Sequence, residues 1–275
     1  MGGGNVQRAG ERRTRRMITD RNAPVPTPPV EEGRRWSIWI DIEGFSTLWT
    51  RGNKAVLGLR ALMEGIYRLG TRLYRDDSER LFAHQFGDGF IIVADFHEPQ
   101  LDRCAAIAVA LMRHVSHAGC LARVAIAEGE FADISGLWPK VIHEAAARDG
   151  SDECVSLGSG LMTLLPVMGT ALIAANKLDA RNPVKGSILT VATVDSIRIS
   201  PSFPRRTVDG HAAFTILDWV HAEHAHIDRI WSRAGVGGSP ADAERAIRDY
   251  IDAEDPPTPW IRGTLDSTNL TVPHA

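Results

Sequence analysis

The stretch Trp36-Ser37-Ile38-Trp39-Ile40-Asp41-Ile42-Glu43-Gly44-Phe45-Ser46, read together with Phe86-Gly87-Asp88-Gly89-Phe90, decides how this chain folds. In the first segment an apolar β-like run leads into Asp41, and Gly44 marks a turn. In the second, Gly-Asp-Gly is a hairpin signal, and apolar Ile91-Ile92-Val93-Ala94 follows it. A lone aspartate between glycines is ordinarily a turn residue. Here two aspartates, 47 residues apart, each border a strand, and a helical segment lies between them. A tight turn beside a strand end places Asp41 and Asp88 within a few ångströms of each other. Two hard carboxylate ligands at that separation suit Mg²⁺ or Mn²⁺, and with them phosphoryl-transfer chemistry on a nucleotide.

Working outward, residues 53–75 carry Val56, Leu57, Leu59, Leu62, Met63, Ile66, Leu69 and Leu73 at helical spacing. Residues 81–95 read as a hairpin, 98–117 as a second helix and 121–134 as a strand. Residues 135–165 mix glycine, short helical pieces and loop; 167–180 are helical; 187–191 and 213–217 are late strands. Residues 222–254 are helical, broken at Gly235 to Pro240. The two tryptophans of the first strand are expected to be partly exposed or packed at an interface. Strands alternating with helices, plus hairpins, make an α/β sandwich with a mixed sheet.

A chain of 275 residues, 44% hydrophobic and 24% charged, is an ordinary globular composition for one large domain with extensions. A net charge of −3 supplies no broad cationic field, so neither nucleic acid nor an anionic membrane is an expected partner. No apolar run reaches the roughly 20 residues of a membrane span. Three cysteines without metal-type spacing argue against a disulfide framework and for a reducing cytoplasm. Residues 1–34, basic and then Pro-rich, read as a disordered tail with no secretory signal. His221, His224 and His226 read as an exposed helical cluster rather than a metal site.

The order of these motifs resembles the class III nucleotidyl cyclases. The carrying residues are Asp41 to Ser46, the Gly87-Asp88 hairpin, Arg123-Val124-Ala125-Ile126-Ala127-Glu128-Gly129, and Gly169 through Leu178, spread over about residues 36–220. The first two landmarks are fairly specific together; the last two help by order and spacing. The resemblance implies an α+β, ferredoxin-like fold, a mixed but mostly antiparallel sheet with helices packed on one face. It implies a catalytic domain over 35–220, with 221–275 as a C-terminal helical extension. It also implies a homodimer with two composite active sites.

On that resemblance, Asp41, Asp88 and the carbonyl of Ile42 hold two divalent cations, Mn²⁺ or Mg²⁺. Backbone N–H groups of Glu43, Gly44, Phe45 and Ser46 cradle phosphate. Lys177 stands where the family has a transition-state arginine, and keeps its charge without the bidentate fork. Ile173 replaces the ribose-orienting asparagine, with Asn176 a possible substitute, and Arg123 matches a phosphate-binding arginine. The turn Val208-Asp209-Gly210-His211 lacks the family's phosphate lysine, leaving Arg205 or Arg206 to serve.

The family's adenine readers fall on His84 and Pro166, and guanine readers are absent as well. Pro166 offers neither charge nor N–H, so an adenine would leave buried polar groups unpaired, at about 1–3 kcal/mol each. A pyrimidine needs fewer partners. This departure resembles the bacterial uridylate and cytidylate cyclases of Pycsar anti-phage defence, with UTP favoured slightly over CTP and a downstream cyclic-nucleotide effector implied. The alternatives are an ATP or GTP cyclase with an atypical base pocket and an inactive cyclase-like nucleotide-binding regulator. A diguanylate cyclase of the GGDEF type is opposed, since residues 86–90 lack its paired glycines and acidic dyad.

Overall fold

The computed structural model describes residues 34–76, 79–133, 138–150, 154–164, 167–208 and 211–271. The tail expected over 1–34 and the position of Pro166 fall outside these residues, except that Arg34 begins a strand. That strand, β1 (Arg34–Ile42), leads through a turn into α1 (Phe45–Arg51) and α2 (Lys54–Arg68). The α2 axis continues as a π-helical turn over Leu69–Leu73. β2 (Leu81–Phe86) and β3 (Gly89–Ala94) form the hairpin, followed by α3 (Asp102–Ser116) and β4 (Ala122–Glu130).

The strands β4, β1, β3 and β2 lie side by side in that order, every neighbouring pair antiparallel. Strand–helix–strand, hairpin, helix, strand with this order is the ferredoxin-like arrangement. The sheet is extended beyond β4 by β5 (Leu189–Ala192), β7 (Phe214–Leu217) and β6 (Arg205–Thr207), and among the described strands of this sheet only the β4–β5 pair is parallel. The sheet is therefore mixed and mostly antiparallel, as the sequence implies.

Strand alternation sends Trp36, Ile38, Ile40 and Ile42 of β1 into one core, with Val124 and Ile126 of β4 and Phe90 and Ile92 of β3. The helices α2 and α3 cover this face. The interior of α3 is rich in alanine (Ala105, Ala106, Ala108, Ala110), so its neighbours approach closely and nearly every residue is buried. Gly65 of α2 makes room for the Leu111 side chain, whose Cδ2 would lie 2.9 Å from an added Cβ. Trp36 is fully buried, contrary to the expected exposure, because Arg103 lies over its ring and Glu98 accepts from its indole N–H.

The opposite face carries Ser37, Trp39 and Asp41, and it is not bare. The helix α5 (Thr170–Arg181) crosses it, with Ser37 Oγ donating to the Ala171 carbonyl at 2.8 Å. A Cβ on Gly129 would lie 2.4 Å from the Ala171 nitrogen, so glycine lets α5 sit down on β4. Helices thus lie on both faces, where the resemblance implied one. The expected helix over 167–180 starts later, because Val167–Met168 pairs as a short strand with Ala132–Asp133. Between these come α4 (Lys140–Asp149) and the hairpin Cys154–Leu157 with Gly160–Thr163.

After a short helix, α6 (Thr193–Ser196), and the late strands, the chain closes with α7 (Ala225–Ala234), α8 (Pro240–Glu254) and α9 (Thr258–Ser267). Ser239 caps α8, its hydroxyl accepting from the Asp242 N–H. Gly235, at φ +66°, ends α7 in the left-handed region that glycine enters freely. Ile227, Ile230, Ile247, Tyr250 and Trp260 of these helices join the main apolar cluster. No helix among the described residues is long and apolar enough to cross a membrane.

Candidate active site

Asp41 stands opposite Gly89 on β3 and opposite Arg123 on β4. Gly89 is shaped by this neighbour: an added Cβ would lie 2.6 Å from the Ile40 carbonyl oxygen and 2.9 Å from Asp41 Cβ. Asp88 sits in the β2–β3 turn, one residue before Asp41's ladder partner, with Gly87 supplying φ +59°. The strand end and the hairpin turn therefore meet, and the two carboxylates face one electrostatic environment.

Burial, helped by the charges of Asp179, Glu43 and Asp88, pushes the Asp41 carboxyl up to about 7, while Arg123 opposes the rise. Asp41 Oδ1 is buried and has no hydrogen-bond partner among the described residues. A buried carboxylate oxygen without a donor, crowded by other carboxylates, is the environment a divalent cation would relieve. Among the described residues no group of three or more His, Cys, Asp or Glu side chains gathers at metal-binding geometry. The donors that fit are two carboxylates, Asp41 and Asp88, and the carbonyl of Ile42, whose side chain is buried in the core.

The phosphate-cradling expectation needs one correction. The Glu43 N–H donates to the Leu121 carbonyl at 2.8 Å, so it is spent on continuing the β1–β4 ladder. Gly44 is left-handed at φ +69°, and Phe45 and Ser46 open α1. The Glu43 carboxyl lies between the sheet and the C-terminal helices; burial raises its pKa, while Arg123, the Trp260 indole and Lys185 oppose the rise.

Arg123 is nearly buried and is held by protein groups. Its Nε pairs with Asp179 on α5, and its Nη1 donates to the carbonyls of Val184 at 3.0 Å and Gly186 at 3.3 Å. In this structure the guanidinium links β4, α5 and the 183–187 loop instead of opening to a phosphate. Asp179 carried no sequence signal: its partner lies 56 residues away, and only the fold joins them.

Lys177 and Asn176 are exposed on α5. Residues two apart on a helix point in different directions, so Lys177 does not share the Asp179 surface that meets Arg123. Asn176, three residues before Asp179, lies on the same side of the helix as Asp179, and Lys177 lies off that side. Ile173, half exposed, presents apolar surface on the same helix. His84 pairs with Ile91, which pairs with Trp39, so alternation places His84 on the Asp41 face of the sheet. Trp39 packs against Phe86 there, ring centroids 5.9 Å apart.

Arg205 and Arg206 are also placed. Arg205 donates to the carbonyls of Ser196 and Ile199, and Arg206 to that of Asp266 at 2.6 Å. His221 is not part of an exposed helical cluster. It precedes α7 and bridges Asp218 at 2.8 Å and Glu244 at 3.2 Å, which holds the end of the sheet to α8.

No family model and no curated protein matches the sequence. Among solved structures, the chain is similar to a monomeric guanylyl cyclase domain of the RhoGC fusion protein from the aquatic fungus Blastocladiella emersonii. That match has 12% identity and a TM-score of 0.44, over 68% of this chain and 94% of that one. A non-canonical dimeric form of that domain matches at 11% identity and TM-score 0.42, over 69% of this chain and 97% of that one. A bacterial light-regulated adenylyl cyclase matches at 13% identity and TM-score 0.43, over 82% of this chain and 65% of that one.

Proposed function

We propose that this chain is a nucleotidyl cyclase that converts a pyrimidine nucleoside triphosphate, UTP before CTP, into its 3′,5′-cyclic monophosphate and pyrophosphate. The observation that carries the reading is Asp41: a buried carboxylate with an unpartnered oxygen, beside a glycine that makes room for it and a hairpin that brings up Asp88. Divalent cations bound there supply charge that favours ionising the ribose 3′-hydroxyl and neutralises the triphosphate. In the reaction the 3′-oxygen forms a bond to the α-phosphorus and the bond to pyrophosphate breaks.

The residues of this chain divide the remaining work. Asp41 and Asp88 anchor the phosphate end, and Gly44 keeps side chains away from it. His84 faces the same side of the sheet and is placed to meet a base. Lys177 is exposed on α5, off the side that carries Asp179. It serves the site of a second copy, with Asn176 beside it, in a homodimer with composite sites. A cyclic pyrimidine nucleotide made in the cytoplasm would act as a second messenger for antiviral defence, read by a separate effector.

Purified protein with Mn²⁺, offered each of the four nucleoside triphosphates separately, tests the reading. A cyclic pyrimidine nucleotide and pyrophosphate are expected, and cyclic AMP as the dominant product rejects the base assignment. The second reading, an inactive nucleotide-binding regulator, draws on Arg123, which is spent on Asp179, and on Ile173 in the ribose position. It predicts Mn²⁺-dependent nucleotide binding with no turnover of any of the four.

A further inference from the structure

The outward side of α2 is apolar where a surface helix is ordinarily polar. The inward side buries Ala55, Gly58, Leu62 and Gly65 against β1 and α3. The outward side carries Val56, Leu57, Met63 and Tyr67, which are 42%, 50%, 47% and 71% exposed. The helix α8 has the same length, 15 residues, and makes a useful contrast. Its exposed positions are Ala241, Arg245, Asp249, Asp252 and Ala253, none of them a large apolar side chain. Single exposed apolar residues are ordinary, but a contiguous strip marks a contact surface. Residues 56, 60, 63 and 67 recur at steps of four, three and four, the spacing of a two-helix seam.

The charges within the strip suit a second copy of the same strip. Arg60 has no ion-pair partner among the described residues. Glu64 is half exposed; Arg68 of the same helix holds its Oε1, and its Oε2 has no partner among the described residues. We propose that the outward face of α2 docks on the same face of a second copy, the two helices antiparallel about a twofold axis between residues 61 and 62. That register sets Val56 against Tyr67 of the second copy and Arg60 against Met63. It also brings Arg60 within one residue of Glu64 across the seam, so the charge left over on each helix meets its opposite. The six side chains expose on the order of 600 Å² per copy, so the pair covers about 1,200 Å², the lower end of stable specific interfaces. The helix α2 lies on the sheet face that Asp41 does not share. The contact therefore leaves the Asp41 site uncovered and is separate from any pairing that builds composite sites.

The test measures the mass of the full chain by analytical ultracentrifugation over a concentration series. It needs no turnover, so the result stands whether or not the chain is a cyclase. Met63→Lys sets an ammonium against Arg60 of the second copy and is expected to at least halve the mass that wild type reaches. The fall is from dimer to monomer, or from tetramer to dimer where composite sites also pair. Arg60→Glu meets Glu64 twice by symmetry and should weaken self-association about tenfold. Arg60→Glu combined with Glu64→Arg restores opposite charges and should recover it. These positions are exposed, so the variants are expected to fold, and unfolding temperatures check this; Tyr67→Lys serves if Met63→Lys does not fold. Equal masses for wild type and Met63→Lys overturn the proposal, as does a double variant no better than Arg60→Glu. A wild type whose mass none of these changes moves, but which phosphatidylglycerol vesicles carry down, makes the strip a lipid surface and also overturns it.

Discussion

Replacing Asp41 by Asn should make the metal-free protein more stable, and more so as pH rises. In the folded chain the Asp41 carboxyl titrates at about 7, against an ordinary value of 3.8. A raised carboxylate pKa means that the folded state holds a proton the unfolded state has released. Folding stability is therefore lost as pH climbs through the window between those values and stays lost above it. At about 1.4 kcal/mol per unit the upper bound is about 4 kcal/mol. Because the side chain is only partly covered, about 2 kcal/mol is the expected size. For a chain of this length that is about 4–8 °C in unfolding temperature. The assay compares thermal unfolding of wild type and Asp41→Asn in a chelator at about pH 5 and about pH 8. The difference between the two proteins removes the contribution of every other titrating group. Asn should be the more stable at the higher pH, with a smaller gap at the lower. Mn²⁺ should stabilise wild type in proportion to its binding and leave Asp41→Asn unmoved. A pH slope identical in both proteins, or an Asn variant less stable at the higher pH, would refute the account of a strained, cation-seeking carboxylate.

Gly89→Ala should cost about 2–3 kcal/mol, because its new methyl meets backbone and Asp41 rather than a movable side chain; it should also lower cyclase activity about a hundredfold. Denaturant titration and a nucleotide assay check both. Arg123→Ala should destabilise by about 3 kcal/mol, since it leaves Asp179 near-buried without its partner; an effect under about 0.5 kcal/mol would mean the ion pair is not formed. Lys177→Ala, at an exposed position, should leave unfolding unchanged within about 0.5 kcal/mol and lower turnover, and Lys177→Arg should restore it. Mixing inactive Asp41→Asn and Lys177→Ala subunits should recover about a quarter of the activity, because half the dimers then hold one intact composite site; no recovery would count against sites shared between chains.

The parts of the fold that depend on local pattern were readable. The apolar runs of β1 and β3, the glycine turn at 87–89 and the helical spacing of α2 each encode their element within a few residues. That the strand end carrying Asp41 lies beside the hairpin turn carrying Asp88 was readable for the same reason, since a hairpin and a strand end leave few ways to pair. What escaped depends on contacts far apart in sequence. Trp36 reads as an amphipathic aromatic until Arg103 and Glu98 are known to enclose its indole. Arg123 reads as a free strand cation until Asp179 arrives on a helix across the sheet. The placement of α5 on the second face follows from Gly129, where the missing side chain is a packing requirement and not a turn. The helix α9 falls within the helical extension implied over 221–275 but beyond the 222–254 pattern, because Thr258-Pro259-Trp260 opens it with a proline, which a linear reading takes for loop.

The closing helices brace the turn that follows Asp41 from outside the sheet. Tyr250 touches the Glu43 carbonyl, and the Trp260 carbonyl and Thr264 press on Gly186, beside the loop that grips Arg123. A chain still threading through the ribosome can lay down the β4–β1–β3–β2 ladder, but nothing yet braces the turn behind Asp41. Only when the segment around residue 264 has emerged can that turn lock. A molecule clipped between α8 and α9 would thus be expected to keep its sheet and lose the brace behind Asp41.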